Sequence, residues 1–228
     1  MERSNFDKAT AQRRFFTGKL ESRAAGDGTA ETFGGIAATV GVEYVLWEGE
    51  NTTYSEVIQR GAFANAGGFD VRVLKNHNIN FLLGRTEAKT AKVWEDESGN
   101  LAYEWQNEPA ITYASDLAAS IRRGDTRESS FGFYIGDEIW EESRIDGKVK
   151  YKRTILNFAE IFDVSPVTYP ANNTTTVTEK RDLESAVQAF FEKNPPATAG
   201  AEQTRNSDLL RLGLENKRKQ ILNTKTVF

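Results

Sequence analysis

Apolar residues recur along most of this chain with a period of two, and in one place with a period near four. Alternation marks a half-buried strand, because successive side chains point to opposite faces. It predicts strands over residues 13–21, 31–42 and 55–63, the last leading into one helical turn. Residues 70–77 alternate as well, with Val71, Val73 and Lys75 on one face and Arg72, Leu74 and Asn76 on the other. Residues 23–28 and 78–81 read as turns, residues 47–53 as a loop, and Gly34-Gly35 as a bulge or barrel corner. Two hairpins are expected, one around the loop 96–100 and one around Ile145-Asp-Gly147. The period near four falls on Tyr113, Leu117 and Ile121, with Ala114 and Ala118 beside them, and predicts a helix over 112–124. Arg122 and Arg123 suit its C-terminal dipole, and Gly124 is a natural stop. A strand rich in aromatic residues follows over 127–136, and a long strand region over 154–169 ends at Pro170.

The patterning changes after residue 172. Residues 172–178 read as a linker, and Leu183, Val187, Phe190 and Phe191 as a short amphipathic helix. Residues 194–201, with Pro195-Pro196 and small residues, read as a second linker, and 207–222 as a terminal helix. There is no internal repeat. The expected organisation is a flexible polar N-terminus over 1–12, a folded domain over 13–172, and a linker with helical tail over 173–228. The fold class is α+β, a mainly antiparallel β-barrel-like core with flanking helices.

Composition narrows the function. The 228 residues carry a net charge of −4, against a general nucleic-acid binder, which needs clustered basic residues. Cysteine is absent, which removes disulfides, thiol catalysis and most structural zinc sites. A single histidine excludes a histidine-rich metal site. No apolar run reaches the length of a membrane helix, the N-terminus has no secretory apolar region, and no phosphate-binding or dinucleotide motif is present, so no membrane, cofactor or metal is expected.

The remaining chemistry centres on Arg127-Glu-Ser-Ser-Phe-Gly-Phe-Tyr-Ile-Gly136. Gly132 inside this strand marks a bend or a close approach. A serine hydroxyl becomes a nucleophile when a general base lies within hydrogen-bond reach, and that base is usually oriented by a third group. The chain offers one imidazole, His77, at a strand end, serines 129 and 130 at a strand start, and Asp163 within a strand. Strand ends at one rim can converge although distant in sequence. Each residue also has a structural reading: His77 as a hydrogen-bonded surface residue, Ser130 as a strand-boundary serine, Asp163 as a cap or ion-pair partner. Glu160, three positions from Asp163, faces the opposite way on a regular strand. Phe131, Phe133, Phe158 and Phe162 read as core.

Five stretches in this order resemble the prohead (maturation) serine proteases of tailed bacteriophages, a family that shares the herpesvirus protease (assemblin) type of fold. They are Val57-Ile-Gln-Arg-Gly-Ala-Phe63, Val73-Leu-Lys-Asn-His77, Leu83-Gly84, Ser130-Phe-Gly-Phe133 and Asp163-Val-Ser-Pro-Val-Thr-Tyr-Pro-Ala171. The resemblance spans about residues 15–172. It implies Ser130 as nucleophile, His77 as general base and Asp163 as the orienting carboxylate, where the family usually shows Glu. The segment before Gly-Ala-Phe, usually Asp-rich, here reads Glu50-Asn-Thr-Thr-Tyr-Ser-Glu56, and Asn76 before the histidine is polar. The oxyanion hole is expected from backbone N–H groups or an arginine. The resemblance further implies a self-associating endopeptidase of the host cytoplasm, inside the immature capsid, that cleaves scaffold segments of the major capsid protein and itself. The linker 194–206 is the expected self-cleavage site. The alternative is a non-catalytic capsid assembly or scaffold protein that keeps the fold.

Overall fold

A computed structural model describes residues 11–16, 20–23, 31–168 and 177–195 of the chain. In order, the strands are β1 (Gln12–Phe16), β2 (Glu21–Arg23), β3 (Thr32–Ala38), β4 (Tyr44–Glu48), β5 (Thr52–Ile58), β6 (Arg72–Lys75), β7 (Asn78–Arg85), β8 (Ala91–Glu95) and β9 (Leu101–Gln106). Helix α1 (Thr112–Arg123) follows, then β10 (Glu128–Ile135), β11 (Glu138–Ile145), β12 (Lys148–Ile155), β13 (Phe158–Val167) and helix α2 (Val177–Lys193). The chain divides into two units, Met1–Lys180, which holds every one of these strands, and Arg181–Phe228, which holds the greater part of α2.

The strands form three open sheets, ordered β1-β10-β13-β6-β7, β11-β12-β5-β4 and β2-β3-β9-β8. All pairings are antiparallel except β12 with β5 and β13 with β6. The mainly antiparallel α+β expectation therefore stands, while the barrel does not: each sheet keeps two outer strands and none closes on itself. The two parallel pairings join strands far apart in sequence, which local alternation does not signal.

One corner explains how the chain passes between the first two sheets. β10 to β11 and β12 to β13 change sheet at the same place, at Gly136-Asp137 and Leu156-Asn157. The Asp137 N–H donates to Asn157 Oδ1 at 3.0 Å, and Asn157 Nδ2 returns a bond to Asp137 Oδ2 at 2.6 Å. Residues 154–169 are therefore not one strand, because Leu156-Asn157 turns the chain from one sheet into the next. Other boundaries shift too. Trp47, Glu48, Thr52 and Thr53 belong to β4 and β5 rather than a loop, and residues 78–81 begin β7 rather than forming a turn. The bulge in β3 falls between Ile36 and Ala38, not at Gly34-Gly35. Gly34 is instead a close approach, with Tyr103 O and Glu104 where a Cβ would sit. Residues 24–28, 171–176 and 196–228, where a turn, part of a linker and the terminal helix were expected, lie outside the described residues.

Helix α1 and both hairpins form where the pattern predicts. Ala114, Leu117, Ala118 and Ile121 are buried. Gly124 closes the helix at φ 82°, its N–H bonded to Ile121 O at 2.9 Å, a left-handed cap that costs glycine little. Burying Leu117 and Ile121 contributes about 1.5–3 kcal/mol each. The core is aromatic: Phe33 stacks on Trp105, and Phe63, Phe131, Phe133 and Phe158 pack on one another. Phe162 departs from this set. It is half-buried against Tyr134, as the extra residue of a bulge in β13.

Candidate active site

β10 runs between β1 and β13, so its side chains alternate between two buried environments. Ser129 points one way and shares a 2.9 Å hydrogen bond with the buried Tyr103 hydroxyl. Ser130 points the other way, and its Oγ lies 2.5 Å from His77 Nε2. His77 Nδ1 lies 2.5 Å from Asp163 Oδ1. The three residues named from the sequence thus meet in one line: carboxylate, imidazole, hydroxyl. Asp163 reaches His77 although it is one methylene shorter than Glu. With Nδ1–H donating to Asp163, Nε2 is left as the acceptor for the Ser130 hydroxyl, the tautomer that proton abstraction requires.

Backbone geometry delivers His77. β6 and β7 are joined by a two-residue turn, Asn76-His77, with both residues at φ 55°. Positive φ at both central positions belongs to the tight hairpin turns that match strand twist. Asparagine tolerates it, but a histidine there carries strain of order 1–2 kcal/mol. The turn is tied to β13 and its end. Asn76 N–H donates to Pro166 O at 3.1 Å, the Thr168 N–H to Asn76 Oδ1 at 2.9 Å, and Asn76 Nδ2 to Thr168 Oγ1 at 3.3 Å. His77 N–H donates to Ser165 Oγ at 3.2 Å, and that hydroxyl also lies 3.3 Å from Nδ1.

Gly132 lies opposite Asp163, just before the bulge. A Cβ there would run into the Phe162 ring, with its Cζ at 2.7 Å, and would press on Asp163 Oδ2 at 3.2 Å. The close approach expected of this glycine is therefore Phe162 folding back beside the carboxylate.

β1 adds a contact that the sequence does not announce. Phe15 pairs with Ser130, and the Ser130 hydroxyl lies 2.8 Å from Arg14 O. The Arg14 guanidinium reaches across to β5, Nε bonding Glu56 Oε1 at 2.8 Å and Nη2 bonding Glu56 Oε2 at 3.2 Å. Glu56 is fully buried and also bonds Arg153 and the Tyr44 hydroxyl. Burial alone would raise its pKa, but the charges of Arg14 and Arg153 outweigh burial and lower it to about 2. Ser165, Arg14 and Glu56 escaped the sequence reading. For Ser165 a signal exists, since it stands two positions from Asp163 and shares its face. For the other two the partners are separated by 42 residues, and nothing local marks them.

Among the described residues no three His, Asp or Glu side chains are grouped as a metal ion would need. Comparison with curated proteins and with solved structures found no match. Comparison with protein families found one over residues 18–189, described as caudovirus prohead serine protease. That span includes Ser130, His77 and Asp163 and most of the chain, and the chain belongs to the caudovirus prohead serine protease family.

Proposed function

We propose that this chain is a serine endopeptidase that cleaves scaffold segments of the major capsid protein, and itself, as the prohead matures. Its Ser130 is the nucleophile, His77 the general base and Asp163 the orienting carboxylate. Membership of the caudovirus prohead serine protease family supports a role in phage capsid maturation. The observation that carries the residue roles is the unbroken line from Asp163 Oδ1 through both nitrogens of His77 to Ser130 Oγ, each link 2.5 Å.

In this reading His77 Nε2 takes the Ser130 proton as Oγ bonds to the scissile carbonyl carbon. The carbonyl electron pair moves onto oxygen, then collapses back and expels the amine, which leaves with the proton from His77. Water, deprotonated by His77, then cleaves the acyl ester and restores Ser130. Asp163 keeps Nδ1 protonated and offsets the imidazolium charge. The shared assemblin type of fold and the self-associated state inside the prohead belong to the same reading.

The test is co-expression with the cognate capsid protein. Ser130→Ala and His77→Ala should each abolish processing with circular dichroism unchanged, and full processing by either overturns the assignment. Ser143→Ala is the control, because Ser143 is exposed. Ser129→Ala is a poorer one, since it strips the partner from a buried tyrosine. Intact mass over prolonged incubation, against Ser130→Ala, tests self-cleavage within 194–206. A non-catalytic assembly protein would bind the capsid protein and leave it whole.

A further inference from the structure

Ser130 is 0% exposed, so a peptide bond cannot reach it until something moves. The element beside it is β1, the outer strand of its sheet, which can leave without breaking any other strand pair of that sheet. β1 also precedes the family-matched span, which begins at residue 18.

Three features make β1 look like a bound peptide. It runs antiparallel along β10 from Gln12 opposite Phe133 to Phe16 opposite Ser129, the way an extended substrate adds to a sheet edge. It presents one backbone carbonyl, that of Arg14, to the Ser130 hydroxyl at 2.8 Å. It places the side chain of that same residue against the buried Glu56, a carboxylate shared with Arg153, where Glu56 accepts two bonds from the guanidinium and the Phe133 ring lies 5.6 Å from it. That site stays built without Arg14, because Glu56 keeps Arg153 and Tyr44 as partners.

We propose that β1 is an internal pseudosubstrate, filling the groove beside β10 that an extended peptide must enter, with Arg14 in a subsite that Glu56 makes selective for a basic side chain. The inference rests on Ser130 being the nucleophile. The inhibitory step is a competition for one proton. The Ser130 hydroxyl has a single hydrogen and two acceptors, His77 Nε2 at 2.5 Å and Arg14 O at 2.8 Å. While Arg14 O faces the hydroxyl, it competes for the proton that His77 must remove, and it occupies the space of the scissile group. Displacing β1 leaves His77 the one acceptor and opens the edge of β10.

The experiment uses the full chain. Ser130 reactivity is read by intact mass after diisopropyl fluorophosphate, and turnover with acetyl-Gln-Arg-Arg-aminomethylcoumarin and its acetyl-Gln-Arg-Ala counterpart. Arg14→Ala should raise the labelling rate about tenfold, because reactivity follows the fraction of molecules with β1 displaced. Gln12→Ala, which removes the oxygen that accepts from Arg14 Nη2 at 2.7 Å and Arg153 Nη2 at 2.9 Å but leaves the Arg14 and Glu56 side chains in place, should raise it less and carries the test if Arg14→Ala loses its circular dichroism. On the Arg14→Ala background the Arg peptide should be preferred, and Glu56→Gln should erase that ratio, a readout that global destabilisation leaves alone. The peptide Gln-Arg-Arg-Phe-Phe added in trans should inhibit Arg14→Ala. Equal labelling of wild type and both variants, with Ser130→Ala silent, overturns the pseudosubstrate and leaves the nucleophile intact. No labelling of any variant overturns both.

Discussion

Ser165 Oγ sits 3.2 Å from the backbone nitrogen of His77 and 3.3 Å from its Nδ1, so one buried hydroxyl touches the proposed base at two points. It shares a face of β13 with Asp163, and the two together fix the ring. Losing one neutral hydrogen bond costs about 1 kcal/mol. Ser165→Ala should therefore lower kcat roughly five- to tenfold with KM little changed, as expected of a buried hydroxyl that acts through His77. An unchanged kcat would remove Ser165 from the positioning shell.

The Asn76-His77 turn makes a second prediction. Asn76 tolerates φ 55° and holds Thr168. Asn76→Ala loses both features, at about 1–2 kcal/mol for the left-handed backbone and about 1 kcal/mol for the clip. Asn76→Gly loses only the clip, and Asn76→Asp keeps the acceptor and the backbone tolerance. Melting temperature and peptidase activity should both fall in the order wild type, Asp, Gly, Ala. Activity that ignores this order would mean the turn does not govern His77.

How much of this was legible beforehand follows from where each interaction lies in the chain. Helix α1 declared itself because Leu117 and Ile121 are four residues apart and Gly124 ends the pattern. Ser130, His77 and Asp163 are singled out by the order of five short stretches that resemble the family, since no one stretch is specific alone. The pattern puts the turn at 78–81, two residues after Asn76-His77, since nothing in the sequence marks His77 as a left-handed residue. The single long strand expected over 154–169 fails at Leu156-Asn157, where the backbone turns into another sheet while strand-forming residues continue on both sides. β1 was foreseen as a strand, but its seat on Ser130 and Glu56 depends on a buried charge network drawn from β1, β4, β5 and β12, which no single window of sequence contains.

Gly132 carries a third prediction. Ala at this position would push its Cβ into the Phe162 ring and against Asp163 Oδ2 at 3.2 Å. Overpacking of this kind costs about 1–3 kcal/mol. Phe162 is half-buried and can yield, whereas Asp163 is held by His77. Gly132→Ala should therefore lose both stability and activity, and Gly132→Ala with Phe162→Leu should regain stability but not full activity. Equal recovery of both would show that the carboxylate is undisturbed by the extra methyl.

Glu56 sets the acid limit of the fold. Its carboxyl is lowered to about 2 in the folded chain, against about 4.3 for an unfolded glutamate. A depressed carboxyl stabilises the fold above its unfolded pKa, and that contribution drains away as pH falls from about 4.3 toward 2. The shift corresponds to roughly 3 kcal/mol. Glu56→Gln leaves Arg14 and Arg153 facing a neutral amide, which should cost about 3–5 kcal/mol at pH 7. Urea unfolding of both proteins across pH 7 to 2.5 should show a wide gap at neutral pH that narrows below about pH 4, because wild type loses the same charge by protonation. Parallel curves would mean that the Glu56 carboxyl is not depressed in the folded chain, and that the charges of Arg14 and Arg153 do not outweigh its burial.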